Sequence, residues 1–252
     1  MLRKTVPKIF ALVPALFLFL AVLSEQHQIC CASPQSKPRW VSFKSAGHTI
    51  RTEWFDAVSS SDGTQSVLVI LPGSGGIEKS GGFFRDLAIS MANSGVTAVI
   101  VHYMDRNGLS TASSSQMAAN FSPWLQTAHD GITLVHKTQG IDQKRISVFG
   151  HSLGAQLALH EASSDSRVYS VVDMAGSFVL PTKNISHMPT VLILHGADDR
   201  TVPVQRERNL VAVLKRVGST YSEHIFPGAD HSFQSVPADE LYKLIGEFLI
   251  GK

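Results

Sequence analysis

The feature that most constrains the fold of this chain is the pentapeptide GHSLG at residues 150–154. It directly follows an apolar run at 146–149 and directly precedes a helix-favouring run at 155–159. This order predicts a strand, a tight turn with Ser152 at its apex, and a helix. We expect a strained backbone at Ser152, and we expect both glycines to be required because side chains there would collide with the neighbouring strand or helix. The alternative is a glycine-rich turn with an inert serine.

Short apolar runs alternate with segments of helical periodicity along the chain. Residues 40–57 predict two short antiparallel strands, and the later runs do not alternate with polar residues, which is typical of strands buried on both faces. Strands are predicted at 67–71, 97–101, 146–149, 168–172, 191–194 and 224–226, and helices around 84–91, 121–135, 203–217 and 241–248. The pattern predicts a three-layer α/β fold, a mostly parallel sheet with helices on both faces. The short span between 172 and 191 leaves no room for a large cap domain.

The N-terminal residues differ from the rest. Three basic residues within the first eight positions precede the apolar stretch 9–23, and polar residues with a small-residue site near Ser24 or Ala32 follow it. This pattern is typical of an export signal, so we predict that residues 1–32 are a signal peptide and that the protein is secreted or periplasmic. The stretch has about fifteen residues, whereas a membrane span needs roughly twenty. An uncleaved N-terminal membrane anchor is the alternative.

Composition agrees with one folded domain, predicted at residues 40–252. The chain is 44% hydrophobic and 17% charged, enough to bury one substantial core. Its formal charge is +2 and its basic residues are scattered, so nothing indicates a nucleic-acid partner. Both cysteines, Cys30 and Cys31, precede the predicted domain, so no disulfide is expected within it.

A serine hydroxyl needs a base to remove its proton, and the base needs an acid partner to orient it. When the serine lies in such a turn, the acid and then a histidine follow later in the chain. Asp198 and Asp199 both lie in the loop after the 191–194 run, and His231 lies in the glycine-containing loop after the 224–226 run. We predict His231 as the general base.

The other histidines have less reactive surroundings. His151 is expected to point away from Ser152, and His195 and His102 end strands close enough to shape a pocket. His129, His136 and His160 lie in predicted helices, and His48 lies on an early predicted strand.

Negative charge on an attacked carbonyl oxygen requires backbone N–H donors. The amide of Leu153 lies at a predicted helix N-terminus beside the serine, which favours it as one donor. The glycine-rich loop at 71–77 follows the first parallel strand and predicts the second, with Ser74 favoured and Gly75 the alternative. A phosphate-binding loop would end in Lys-Ser or Lys-Thr, which this segment lacks.

Together these segments resemble the α/β-hydrolase superfamily over residues from about 40 to 250. The resemblance favours Asp199 as the acid, because its spacing to Val202-Pro203 matches that superfamily's Asp-x-x-Val-Pro pattern, while Asp198 stays the alternative. The compact size, the missing cap and the segments 87–103 and 157–159 resemble the dienelactone hydrolase family. Dienelactone hydrolases proper use a cysteine nucleophile, whereas this chain has Ser152.

The resemblance implies hydrolysis of a small-molecule carboxylic ester through an acyl-enzyme on Ser152, with no metal and no cofactor. Two other functions remain open. The same triad serves peptidases and thioesterases, and an inactive member of the fold can act as an extracellular binding module. Pocket-wall residues are harder to assign, because each candidate is also typical of a core position: Tyr103, Met104, Trp124 and Phe178.

Overall fold

A computed structural model describes residues 37–58 and 64–251. The predicted signal peptide at 1–32 lies outside the described residues and stays a prediction. Within the described residues, none of the helices combines the length and the apolar character that crossing a membrane requires.

The described residues contain eight strands joined in one sheet. The strands are β1 Arg39–Ser45, β2 His48–Phe55, β3 Gln65–Leu71, β4 Thr97–Val101, β5 Ile141–His151, β6 Val168–Met174, β7 Thr190–Gly196 and β8 Tyr221–Phe226. Their spatial order is β1-β2-β4-β3-β5-β6-β7-β8. The β1–β2 and β2–β4 pairs are antiparallel and all other pairs are parallel. The predicted antiparallel entry into a parallel sheet is confirmed.

Five α-helices cover the two faces of the sheet in the described part of the chain. They are α1 Gly76–Asn93, α2 Ser114–His136, α3 Leu153–Ala162, α4 Gln205–Val217 and α5 Ala238–Ile250, with a 3-10 helix at Tyr103–Asn107. Alternate residues of β3 belong to two separate cores: Val67 and Val69 pack with α2, α3 and α4, while Leu68 and Ile70 pack with α1 and α5. The predicted three-layer fold with strands buried on both faces is therefore confirmed.

The helices begin at positions different from those predicted: α1 begins at Gly76 and not near 84, and α5 begins at Ala238 and not near 241. The helix α2 starts at Ser114, because the Ser113 side chain accepts a hydrogen bond from the Gln116 backbone while the Gln116 side chain accepts one from the Ser113 backbone. The helix α4 starts at Gln205, two residues after Pro203, because residues 201–204 form turns. Between β6 and β7 the chain has neither helix nor strand, so no cap domain is inserted there.

A fully buried carboxylate anchors α1 to the sheet. Glu53 on β2 accepts two hydrogen bonds from the Arg85 guanidinium, at 2.7 and 2.8 Å. His102 Nε2 lies 2.9 Å from Glu53 Oε1. Burial by itself would raise the pKa of Glu53, but the hydrogen bonds from His102 and Arg85 outweigh it and lower the pKa to about 2. Folding therefore favours the ionised form of this side chain.

We expect Glu53→Gln to lower the free energy of unfolding at pH 7 by about 2 to 3 kcal/mol, because the amide cannot accept both guanidinium bonds and part of the Arg85 charge is screened by solvent. The folded-state pKa of Glu53 lies below its ordinary value of 4.5, so this stability is present above about pH 4.5 and is lost as the pH falls towards 2. Urea unfolding of both proteins at pH 7, 4 and 3 measures the difference. It should shrink with acidification, whereas the exposed Glu78→Gln control should match the wild type throughout.

Candidate active site

The predicted turn at Ser152 has the strained backbone that its sequence requires. Ser152 lies between β5 and α3 with φ of 53° and ψ of −116°, a conformation that L-residues rarely adopt. A Cβ on Gly150 would overlap the backbone of Gly154 and Ala155, and a Cβ on Gly154 would overlap the Leu71 backbone. The predicted need for both glycines is confirmed, and the close approach at Gly154 brings the end of β3 against the start of α3.

Asp199 lies in the loop after β7 with its carboxylate buried. Its Oδ1 accepts hydrogen bonds from the backbone N–H groups of Thr201 and Val202, both at 2.8 Å. These bonds close a local turn around the side chain, and they leave Oδ2 as the acceptor for a second partner. Asp198, the alternative acid, is exposed on the protein surface. The structure therefore places Asp199, and not Asp198, at the site.

His231 lies in the loop between β8 and α5, next to a second strained residue. Phe233 has a φ of 56° and is buried against Phe226, with ring centroids 5.8 Å apart. This anchor fixes the loop two residues after His231. The imidazole is left partly exposed, with 21% of the side-chain surface accessible.

The structure brings the three predicted side chains into hydrogen-bonding distance. His231 Nδ1 lies 2.7 Å from Asp199 Oδ2, and His231 Nε2 lies 2.8 Å from Ser152 Oγ. A carboxylate only accepts hydrogen bonds, so Nδ1 carries the proton and Nε2 accepts the serine hydroxyl. This tautomer is the one in which the ring can take a proton from Ser152.

Two of the three predicted amide donors line the cavity at Ser152, and the third belongs to the next residue in the chain. Leu153 is the first residue of α3, so its N–H has no acceptor within the helix. Ser74 and Gly75 line the same cavity as Ser152, and neither amide donates a hydrogen bond to another described residue. The preceding residue, Gly73, is close to the serine, since a Cβ there would lie 3.4 Å from Ser152 Cβ. The arrangement leaves N–H groups of two different elements next to one hydroxyl.

The sequence model of the Dienelactone hydrolase family matches residues 55–243, well over half of the 252 residues. This chain belongs to the dienelactone hydrolase family. The matched span contains β3 to β8 and all three side chains described above.

Solved structures share the fold of this dienelactone hydrolase family member. A dienelactone hydrolase-like promiscuous phosphotriesterase from metagenomic libraries aligns with a TM-score of 0.70 and 16% identity, covering 84% of this chain and 96% of the other. Est1E from Butyrivibrio proteoclasticus has a TM-score of 0.65 and 14% identity, with 86% and 100% covered. A propionate-bound esterase from Thermogutta terrifontis has a TM-score of 0.66 and 17% identity, with 87% and 96% covered. A search of curated protein sequences finds no match.

His151 of this family member was predicted to point away from Ser152, and the structure corrects this expectation. Its ring lines the same cavity and lies against the His231 ring, with centroids 5.3 Å apart. Its Nε2 donates a hydrogen bond to the backbone carbonyl of His231 at 3.1 Å. Burial lowers the pKa of His151 to about 4, so the ring is neutral at pH 7. The neutral ring supports the base without adding a positive charge beside it.

His195 supports the acid from the opposite side. It is the last residue but one of β7 and is fully buried. Its Nε2 donates to the Val202 carbonyl at 2.8 Å and lies 3.5 Å from Asp199 Oδ2. The same Val202 residue donates its N–H to Asp199, so His195 holds the turn that orients the carboxylate. Its position at the end of a predicted strand was the only sequence signal for this role. His102, the other candidate, instead binds Glu53 away from the cavity that contains Ser152.

A half-open cavity of 760 Å³ adjoins the Ser152 hydroxyl. Aromatic and aliphatic side chains from α1, the loop after β8 and α5 form much of its wall, including Phe83, Phe84, Phe233 and Leu241. None of the four wall residues considered from the sequence lines it. Tyr103 and Trp124 are fully buried, Met104 is nearly so, and Phe178 packs on the ring of His160.

Proposed function

We propose that this protein is a serine hydrolase that cleaves carboxylic esters through an acyl-enzyme on Ser152. One observation carries the proposal: an unbroken chain of hydrogen bonds runs from Asp199 Oδ2 through His231 to Ser152 Oγ, with distances of 2.7 and 2.8 Å. Both distances lie in the range over which a base removes a proton from a nucleophile. Membership of a hydrolase family supports the same class of reaction.

Acylation begins when the Ser152 Oγ bonds to the ester carbonyl carbon and its proton passes to His231 Nε2. Asp199 stabilises the imidazolium that forms, because its ionised carboxylate accepts a hydrogen bond from Nδ1–H at 2.7 Å. The carbonyl oxygen becomes an oxyanion next to the N–H groups of Leu153 and Ser74, with Gly75 the alternative donor. When the C–O bond to the alcohol breaks, His231 returns the proton to the departing alcohol.

Deacylation repeats these steps with water. His231 Nε2 takes a proton from the water as its oxygen bonds to the acyl carbon, and the same N–H groups stabilise the second oxyanion. The bond to Ser152 Oγ then breaks and His231 returns the proton to the serine. The carboxylic acid leaves and the hydroxyl is restored, so one turnover consumes one ester and one water molecule.

Covalent labelling with a fluorophosphonate tests the proposal, because the probe reacts with an activated serine and not with an ordinary one. We expect mass spectrometry to find a single adduct on Ser152 and none on Ser232, which lines the same cavity without contacting the base nitrogen. Unlabelled, folded protein would instead support the binding-module alternative. A substrate panel then separates the reaction types: nitrophenyl esters should be hydrolysed faster than matched thioesters and amides, and the opposite order would favour a thioesterase or peptidase.

We further propose that residues 1–32 direct export, so that the enzyme acts on small-molecule esters outside the cytoplasm. The basic start followed by an apolar stretch supports this, and the stretch is shorter than a membrane span. N-terminal sequencing of the exported protein should find a start between residues 25 and 33. An intact N-terminus recovered with membranes would support the anchored alternative.

A further inference from the structure

The inference concerns Tyr103, a buried residue that begins the 3-10 helix after β4 and lies outside the cavity that contains Ser152. Its hydroxyl donates a hydrogen bond to the Pro72 carbonyl at 2.7 Å, and its ring packs edge-on against Trp124 with centroids 5.7 Å apart. Only 1% of the residue is exposed, and burial raises its pKa above the ordinary value, so the hydroxyl stays a donor at all working pH values. Pro72 begins the loop that carries Ser74 and Gly75.

Three consecutive carbonyl groups of this loop are held by donors. The Pro72 carbonyl accepts from Tyr103, the Gly73 carbonyl accepts from the Gly76 amide at 2.9 Å, and the Ser74 carbonyl accepts from the Ala112 amide at 2.8 Å. In a trans peptide unit the C=O and the following N–H point in opposite directions, and every described peptide bond is trans. Fixing these carbonyls therefore fixes the direction of the N–H groups of Gly73, Ser74 and Gly75 in turn. Tyr103 orients the first of these peptide units directly, and it acts on Ser74 and Gly75 by holding the residue at which the loop begins.

The root of the loop also touches the element that carries the serine. A Cβ on Gly154 would lie 2.6 Å from the Pro72 carbonyl oxygen, so this oxygen sits between the start of α3 on one side and the Tyr103 hydroxyl on the other. The two sets of amide donors belong to separate elements, the first turn of α3 and the loop after β3. Leu71 at the end of β3 makes the closer contact with Gly154, and the Tyr103 bond holds the next carbonyl, that of Pro72, against the same residue.

We propose that Tyr103 is a positioning residue that sets the second oxyanion donor, in the loop after β3, relative to Leu153. The inference rests on the proposed function, since only a reaction that forms an oxyanion needs this spacing. Donor geometry matters most in the transition state, when charge develops on the carbonyl oxygen. Substrate binding in the ground state depends instead on the cavity wall, which Tyr103 does not touch.

The Tyr103→Phe variant tests this, because it removes the hydroxyl and keeps the ring. We expect kcat for a nitrophenyl ester to fall about ten- to a hundredfold with KM changed less than about threefold. Affinity for a trifluoromethyl ketone should fall by a similar factor: Ser152 Oγ adds to its carbonyl, the proton moves to His231, and the resulting oxyanion occupies the donor site. Tyr242→Phe is the matched control, since that hydroxyl donates to the Phe83 carbonyl at 3.2 Å, and it should keep kcat within about twofold of the wild type.

A folded Tyr103→Phe protein with wild-type kcat and ketone affinity would overturn the inference while leaving the proposed function intact. Loss of activity together with equal losses of ester and ketone binding would also overturn it, because that pattern indicates a damaged cavity. If the variant does not fold, Ala112→Pro removes the donor to Ser74 at the other end of the loop and should show the same kcat and ketone losses. Failure of the proposed function gives a different result: the wild type itself would show neither turnover nor ketone binding, and the inference would fall with it.

Discussion

Replacing Ser152 by alanine is expected to lower kcat for a nitrophenyl ester by about 10⁶-fold. The variant keeps His231, Asp199 and the amide donors but has no oxygen to form the acyl-enzyme. Members of such a triad act as a unit, so the remaining groups contribute only what binding and oxyanion stabilisation provide. Alanine can also occupy the strained backbone at this position, so we expect the protein to fold with a melting temperature close to that of the wild type.

Ser232→Ala is the matched control for this prediction. Its hydroxyl lies next to the base in sequence and lines the same cavity, but it donates to the exposed Asp230 carboxylate at 2.6 Å. We expect its kcat to stay within about threefold of the wild type. Steady-state kinetics of the three proteins decides the matter. Residual activity above one-hundredth of wild type in a pure Ser152→Ala sample would place the nucleophile elsewhere.

The second large effect is expected from Asp199→Asn, with a decrease of about 10⁴-fold in kcat. The asparagine keeps the shape of the side chain and can still accept from Thr201 and Val202. It presents an amide N–H to His231 Nδ1, however, which stabilises the ring tautomer with its proton on Nε2. That tautomer cannot accept the proton of Ser152, and the imidazolium loses its partner charge.

Asp198→Asn separates the two neighbouring acids. Asp198 is exposed, and only its backbone N–H is fixed, by a bond to the Ala229 carbonyl at 2.9 Å. We expect this variant to retain kcat within about twofold of the wild type. Equal effects of the two substitutions, measured on the same ester, would contradict the assignment of Asp199.

Much of the fold was predictable because it follows from local chemistry. Non-alternating apolar runs such as Val67–Leu71 are satisfied only when both faces of a strand are covered, so they indicate a central parallel sheet. The residues at which helices begin were harder to predict. The start of α2 depends on reciprocal hydrogen bonds between Ser113 and Gln116, and the serines around it read equally well as a loop until the cap is seen.

The three side chains of the candidate site were predictable from the sequence, but the two histidines that hold them in place were not. Ser152, Asp199 and His231 each lie in a loop after a strand, and the carboxyl ends of parallel strands share one edge of the sheet, so convergence could be expected. The two supporting histidines gave no comparable signal. His151 binds the backbone carbonyl of His231, and His195 binds the turn around Asp199. Both contacts join residues whose orientation depends on packing.

For this protein the sequence alone determined which residues are candidates for chemistry, because strand, turn and helix signals act between near neighbours in the chain. The tertiary structure alone decided where His151 points and that the Tyr103 hydroxyl bonds to the start of the loop that carries Ser74. It also places Asp199 against His231, the one of two adjacent aspartates that the sequence favoured. Those outcomes depend on distances between segments tens of residues apart, and such distances are set by the packing of the whole core. A local sequence pattern does not specify those distances.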